Sequence, residues 1–311
     1  QISMEDQVIA SDAAAGKGGS QVYLEPGEQM SMDEMLKSVV VSSANDCATA
    51  LAEHVAGSEV AFVELMNQRA AELGMTDTHF VNCTGLDDEP NAAEHLTTAH
   101  DIAIMSRQLL MHDRIRDYTT IWMDTVRNGA FGLSNTNKLV RFYEGTTGLK
   151  TGYTSSAGHC LSASAMRDGI ELIAVVMHCD ISQDRFESAK AMLNYGFANY
   201  ALVSPEPPEL FPTVEVKLGK EAALTPVLQA SAPILIQKSE LSRVSKTVSL
   251  PEQVEAPVAA GDPLGVMTIT AGEKVLAEIP IIAPNAVEKL SLWDLTVRLL
   301  REICMAGEEE S

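Results

Sequence analysis

Apolar residues recur at helical spacing through the front of the chain and alternate at strand spacing towards its end. Ser31-Met32-Asp33-Glu34 is a capping box, in which the serine side chain and the glutamate are placed to satisfy each other's orphan N–H groups. The helix it starts runs through Met35, Leu36 and Val39, and Ser43-Ala44-Asn45 breaks it. Asp46 then opens a short helix through Ala50, Leu51 and Val55, stopped at Gly57. Ser58 caps the next helix, with Val60, Val63, Leu65 and Met66 expected inside and Gly74 at its end. Thr97 or Thr98 caps another, which carries Ile102, Met105, Leu109 and Leu110 on one side. After Lys150-Thr151-Gly152 the period changes. His159 to Met166 and Ile170 to Met177 read as two strands joined by Arg167-Asp168-Gly169, a hairpin signature. A long helix from Ser182 to about Tyr200 closes this part, which predicts a sheet flanked by a helical lobe.

Pro205, Pro207, Pro208 and Pro212 mark a linker. Beyond it Val214 to Leu218 alternates, Ile234-Leu235-Ile236 is short and apolar, and Thr247 to Leu250 follows. Val266 to Thr270 and Lys274 to Ile282 form another hairpin through Ala271-Gly272-Glu273, so a small all-β domain is expected. The last element, from about Val287 to Met305, puts Leu292, Trp293, Leu295, Val297, Leu299, Leu300, Ile303 and Cys304 on one arc. It is too short and too charged to span a bilayer. Such an arc fits a membrane surface with Trp293 at headgroup depth, the β domain itself or another subunit, and its width favours the membrane. The expected organisation is therefore residues 1–203, 204–285 and 286–305.

At 311 residues and 46% hydrophobic content the chain is globular and long enough for two domains, or one large one with an appendage. Its formal net charge of −21 argues against a nucleic-acid partner and against broad adhesion to anionic lipid. Cys47, Cys83, Cys160, Cys179 and Cys304 are scattered without metal-ligand spacing and read as small, mostly buried apolar residues. His54, His79, His95, His100, His159 and His178 show no triad spacing, and Asp87-Asp88-Glu89 lacks the spacing of a Ca²⁺ loop. No metal or cofactor is expected. No charged n-region with an apolar h-region follows Gln1, so no signal peptide is visible in these residues.

The chemistry concentrates in two motifs about a hundred residues apart, Ser43-Ala44-Asn45 and Lys150-Thr151-Gly152. Ser43 and Asn45, at i and i+2 in a loop between helices, can face one cleft. A hydroxyl there can relay a proton, and a carboxamide can hold a substrate amide together with a lysine ammonium. Lys150 opens an edge strand as a fixed positive charge with the Thr151 hydroxyl beside it, a pair suited to a substrate carboxylate. Gly152 leaves the strand face bare for a substrate backbone. Taken singly, Ser43 could be a helix cap, Asn45 a turn residue and Lys150 a solvated lysine. Arg185 could bind carboxylate, although charge pairing at the start of its helix is the expected role. A third motif that belongs with these two, Ser-x-x-Lys, occurs nowhere in the 311 residues.

With Tyr23-Leu24-Glu25-Pro26-Gly27, Gly74 to Phe80, Thr84-Gly85-Leu86-Asp87, Thr97 to Asp101, Asn135-Thr136-Asn137 and Ala157-Gly158 in order around these motifs, the chain resembles the low-molecular-mass D-alanyl-D-alanine carboxypeptidases. The resemblance implies an α/β (α+β) penicillin-binding, β-lactamase-like domain, then a small all-β domain and an amphipathic membrane anchor. It implies a serine-type carboxypeptidase that removes the terminal D-alanine of peptidoglycan stem peptides through an acyl-enzyme, with β-lactam antibiotics as inhibitors. Ser43 would pass a proton towards the leaving D-alanine, and Asn45 would hold the substrate amide and the family's general-base lysine. Lys150 and Thr151 would bind the terminal carboxylate along Gly152, and the Tyr153 backbone N–H would be an oxyanion donor. The acyl-forming Ser-x-x-Lys lies ahead of the position matched by Gln1, so the chain is expected to be truncated before it and inactive alone. The expected location is the extracytoplasmic face of a bacterial membrane. The rival readings are a non-catalytic peptidoglycan-binding or scaffold protein and a β-lactamase of the same fold; no Glu-x-x-x-Asn loop for activating water stands between the two motifs.

Overall fold

The computed structural model describes residues 3–88, 91–207 and 209–297. The described chain forms two compact units, 1–198 and 199–311 by residue number. The first begins with β1 (Gln7–Ile9), α1 (Asp12–Ala15) and β2 (Gln29–Ser31), followed by α2 (Met32–Ser42), α3 (Asn45–Ala56), α4 (Glu59–Glu72) and α5 (Ala99–Leu110). Then come α6 (Arg116–Thr119), β3 (Met123–Val126), β4 (Phe131–Ser134) and α7 (Leu139–Phe142). It ends with β5 (Thr146–Thr154), β6 (Gly158–Arg167), β7 (Ile170–Cys179) and α8 (Ser182–Asn199).

The start of α2 differs from its expected cap in one arm. The Glu34 N–H donates to Ser31 Oγ at 3.2 Å as a capping box requires, but the Glu34 carboxylate does not turn back to the Ser31 N–H. It accepts instead from the Ser31 hydroxyl at 3.3 Å and from the Arg127 N–H at 2.9 Å, because a distant turn needs that acceptor. Met35, Val41, Cys47 and Ala50 from α2 and α3 pack with Val8, Val22 and Leu24 into one core. Each buried Val, Leu or Met side chain there stabilises by roughly 1.5–3 kcal/mol. The apolar run of α4 departs from expectation. Val60 and Leu65 are exposed and Ala70 is the buried residue of that helix. Phe62, Leu65 and Met66 line an open apolar cavity of about 280 Å³ with Met75, Phe80 and Met105, so α4 is covered on a narrower face than its composition suggests.

The antiparallel sheet β5-β6-β7 carries a second core, in which Leu161, Ala163, Ala165 and Ala174 meet Phe186, Ala189 and Leu193 of α8. Its β6–β7 turn has Asp168 at φ 49° and Gly169 at φ 78°, the left-handed pair that matches strand twist in a two-residue hairpin.

The second unit contains β8 (Tyr200–Val203), β9 (Val214–Lys217), β10 (Ala223–Leu224), β11 (Val227–Leu228) and β12 (Ile234–Gln237). It continues with β13 (Val244–Ser249), β14 (Gln253–Glu255), β15 (Pro263–Ala271) and β16 (Lys274–Ile282). The sheet β11-β16-β15-β13 buries Met267, Ile269, Ile279 and Ile281. Ile234 to Gln237 pairs with Tyr200 to Val203, so the residues just after α8 enter this unit.

The terminal helix starts later than its pattern suggests. Val287 is buried and bridges Val258, and the Leu290 N–H donates to Leu218 O at 2.7 Å; backbone pairing claims these residues for the β domain. Residues 292–297 are helical, and Ser291 and Asp294 cap them reciprocally through N–H donations of 2.9 and 3.2 Å. Leu292 and Trp293 are 85% and 75% exposed. The expected arc members Leu299, Leu300, Ile303 and Cys304 lie outside the described residues, as do Glu89 and Pro208. No helix among the described residues is long and apolar enough to cross a membrane.

Candidate active site

The end of α2 places the first motif. Ser43 adopts the left-handed conformation, φ 60° and ψ 38°, which stops the helix and turns the chain into α3. Asn45 is the first residue of α3, and its side chain donates to Gly18 O at 2.9 Å while its N–H donates to Ser20 O at 2.8 Å. Gly19 passes so close that a Cβ there would stand 2.7 Å from Asn45 Nδ2. The organiser of this segment is Asp46, fully buried, whose carboxylate accepts from the N–H groups of Val22 and Leu24 at 3.1 Å and of Cys47 at 2.9 Å. In the sequence Asp46 reads as a helix start and as the end of the Ser43-Ala44-Asn45-Asp46 motif, with no role of its own. Its place directly after the Ser-Ala-Asn motif was the available signal.

Strand β5 brings the second motif to the first. Lys150 Nζ donates to Ser43 Oγ at 2.7 Å and to Thr151 O at 3.0 Å. Burial lowers the Lys150 pKa to about 8, and the nearby Arg185 guanidinium adds to the effect. The Thr151 hydroxyl donates to Thr136 Oγ1 at 2.7 Å. Thr136 is held between Asn135 and Asn137, both buried; Asn137 donates to Gly148 O at 3.1 Å and accepts from the Leu139 N–H at 3.1 Å. A Cβ on Gly152 would meet only Cys160 Cβ, at 3.9 Å, so the bare strand face is not imposed by packing inside the protein. Tyr153 is exposed and stacks on His159 across the β5–β6 pair, centroids 4.3 Å apart.

Arg185 does not pair with charge at its helix start. It is 9% exposed and donates to Gly152 O at 3.0 Å, Cys160 O at 3.3 Å and Ser182 Oγ at 3.2 Å. It therefore clamps the backbone of β5 and β6 directly behind the Lys-Thr-Gly motif. Burial lowers its own pKa, since desolvation disfavours the charged form. At the far rim, Asp87 accepts from the Ser156 hydroxyl at 2.7 Å, joining the loop after α4 to the β5–β6 turn. That hydroxyl, followed by Thr154's, holds the Asp87 carboxyl below the usual range.

Two other histidines contact backbone groups. The His178 ring lies 3.1 Å from Ala157 O and the His95 ring accepts from the Val81 N–H at 3.3 Å. Burial, then the Glu59 carboxylate, pushes the Cys83 thiol to about 12, and burial pushes Cys47 upward too, which leaves neither as a thiolate near neutral pH. The structure thus brings a serine hydroxyl, a lysine of lowered pKa and a threonine hydroxyl to one end of a bare strand, while the Asn45 carboxamide is engaged with Gly18 O. That set can bind a carboxylate and move a proton.

Residues 1–180 match the family described as D-alanyl-D-alanine carboxypeptidase, and residues 209–289 match the penicillin-binding protein 5 C-terminal domain. The chain is 38% identical over 295 residues to the D-alanyl-D-alanine carboxypeptidase DacF of Bacillus subtilis, covering 93% of this chain and 75% of that one. It is 31% identical over 310 residues to DacC of Escherichia coli, covering 96% and 76%. Among solved structures, penicillin binding protein 5 from Haemophilus influenzae superposes with a TM-score of 0.69 at 28% identity, over 93% of this chain and 84% of that one. Penicillin binding protein 6B from Escherichia coli gives 0.69 at 27% identity, over 91% and 80%.

Proposed function

Because the chain belongs to the D-alanyl-D-alanine carboxypeptidase family, we propose that its cleft binds the D-alanyl-D-alanine end of a peptidoglycan stem peptide and serves serine-type hydrolysis of that bond. The observation that carries the reading is the 2.7 Å contact between Lys150 Nζ and Ser43 Oγ. It joins a carboxylate-binding strand to a proton-relaying hydroxyl. The terminal carboxylate is held by the Lys150 ammonium and the Thr151 hydroxyl, and the peptide backbone lies along Gly152. Asn45 holds the substrate amide, the Tyr153 N–H faces the developing oxyanion, and Ser43 passes a proton to the leaving D-alanine. The acyl-forming nucleophile of this chemistry belongs to a Ser-x-x-Lys element, which the 311 residues do not contain. Binding and proton relay are therefore the roles assigned to these residues. β-Lactams act at the same place as analogues of the peptide, and the protein works outside a bacterial membrane with its terminal helix on the lipid surface.

The test is calorimetric titration of the chain with diacetyl-L-Lys-D-Ala-D-Ala and with the same peptide ending in L-Ala. The D-Ala peptide alone should bind, and Lys150→Ala should weaken it at least about tenfold. Equal binding of both peptides, or an unaffected variant, would remove the site from substrate recognition. A non-catalytic peptidoglycan-binding protein is the second reading. D-alanine release by the product of the whole gene separates the two.

A further inference from the structure

Ser43 has the attributes of a nucleophile in its own right. It sits in a left-handed turn between two helices, half-buried, with its hydroxyl 2.7 Å from a lysine. No carboxylate among the described residues is within ion-pair distance of Lys150, and the charged group acting on it is Arg185 of α8. Both features favour the neutral amine. When Nζ is neutral, the Ser43 O–H donates to the nitrogen lone pair instead of accepting from an ammonium, which is the starting geometry for general-base catalysis.

We infer that Ser43 and Lys150 form a self-contained acyl-transfer dyad, in which Ser43 is acylated by small activated esters that carry no carboxylate. Ser43 Oγ bonds to the ester carbonyl carbon while its proton moves to Lys150 Nζ. The bond from that carbon to the leaving oxygen breaks, a phenolate departs, and Lys150 returns the proton to solvent. More slowly than acylation, water gives a proton to the neutral lysine and adds to the acyl carbon; the bond from that carbon to Ser43 Oγ breaks, Lys150 returns the proton to Oγ, and the acid departs. The activity is confined to activated esters because the adjacent backbone donors are committed. The Ala44 N–H goes to Ser38 O and the Asn45 N–H to Ser20 O, which leaves no pair of N–H groups for the oxyanion. One missing oxyanion donor typically costs about 10²–10³-fold in rate. A carboxylate ligand opposes the dyad, since it holds Lys150 as the ammonium ion and removes the base. This activity goes beyond the proposed peptide chemistry and needs no Ser-x-x-Lys.

The experiment treats the full chain with p-nitrophenyl acetate from pH 6 to 10, following phenolate release and locating acetyl groups by peptide mass spectrometry. One acetyl group per chain is expected on Ser43, formed at a rate that rises through about pH 8 to a plateau. Ser43→Gly keeps the left-handed turn and should lose that label, whereas Ser42→Ala should keep it. Lys150→Met should slow labelling about 10²-fold or more. Folding of each variant is checked by circular dichroism. Acetylation only elsewhere, label persisting in Ser43→Gly, or a rate flat across pH 8 would overturn the dyad. Diacetyl-L-Lys-D-Ala-D-Ala should protect Ser43. Labelling of Ser43 without such protection would count against the carboxylate site and still establish the dyad.

Discussion

At the scale of single residues, the depressed Lys150 pKa makes the strongest prediction. The folded value lies near 8, below the ordinary 10.5 of a lysine, so the ammonium form dominates below pH 8 and the amine above it. A terminal carboxylate stays ionised throughout this range. Affinity for diacetyl-L-Lys-D-Ala-D-Ala should therefore fall about tenfold between pH 7 and pH 9, while p-nitrophenyl acetate labelling rises over the same interval. Parallel pH profiles would contradict a shared lysine. Gly152 separates folding from binding. Since a Cβ meets nothing closer than 3.9 Å, Gly152→Ala should leave the melting temperature unchanged and weaken peptide binding, as isothermal titration would report. Asp46 behaves oppositely. Its removal leaves buried N–H groups of Val22 and Leu24 without an acceptor, so Asp46→Ala should lower stability by roughly 3 kcal/mol, with faster amide exchange at both positions. These contrasts follow from which groups are satisfied within the protein and which await a ligand.

At the scale of elements, the terminal helix offers a clear alternative. Leu292 and Trp293 face water, so Trp293→Ala should shift the melting temperature by less than about 2 °C. On a bilayer the same side chains would be buried, each worth roughly 1.5–3 kcal/mol. Vesicle co-sedimentation of the whole chain against one ending at Leu290 tests this. The shortened chain keeps Val287 in its bridge to Val258 and the Leu290 N–H on Leu218 O. Equal recovery of both chains with the vesicles would reject the anchor. Helix α4 shows how far local pattern reaches. Its length and its Ser58 cap were legible from spacing, but Val60 and Leu65 proved exposed because burial depends on what packs against a helix, not on its own composition.

At the scale of the molecule, the proline-rich stretch between α8 and β9 should be the first point of proteolysis. Leu210 there is 97% exposed, so chymotrypsin should cut first near it, and mass spectrometry of the fragments would show this. A first cut outside the stretch 204–213 would contradict that placement. The whole chain should also form no covalent adduct with a fluorescent penicillin. The β-lactam carboxylate holds Lys150 charged, and no Ser-x-x-Lys is present in these residues to be acylated. Fluorescence of the denatured band would overturn this expectation.

The sequence by itself determined the helix caps, the Asp168-Gly169 hairpin, the change from helical to strand period, and the ordered motifs that identify the family. All of these are local, set by dihedral preference, by side chains capping nearby N–H groups, or by residues a few positions apart. Tertiary structure alone decided that Lys150 and Ser43, 107 residues apart in the chain, stand 2.7 Å from each other. It also decided that Thr136 accepts the Thr151 hydroxyl's hydrogen bond, that Arg185 is buried against Gly152 O, and that Val287 bridges Val258 instead of opening a helix. The physical reason is the same in each case. Hydrogen-bond partners and desolvation are set by distant segments brought together in the fold, and the lowered pKa of Lys150 exists only once those segments exclude water around it.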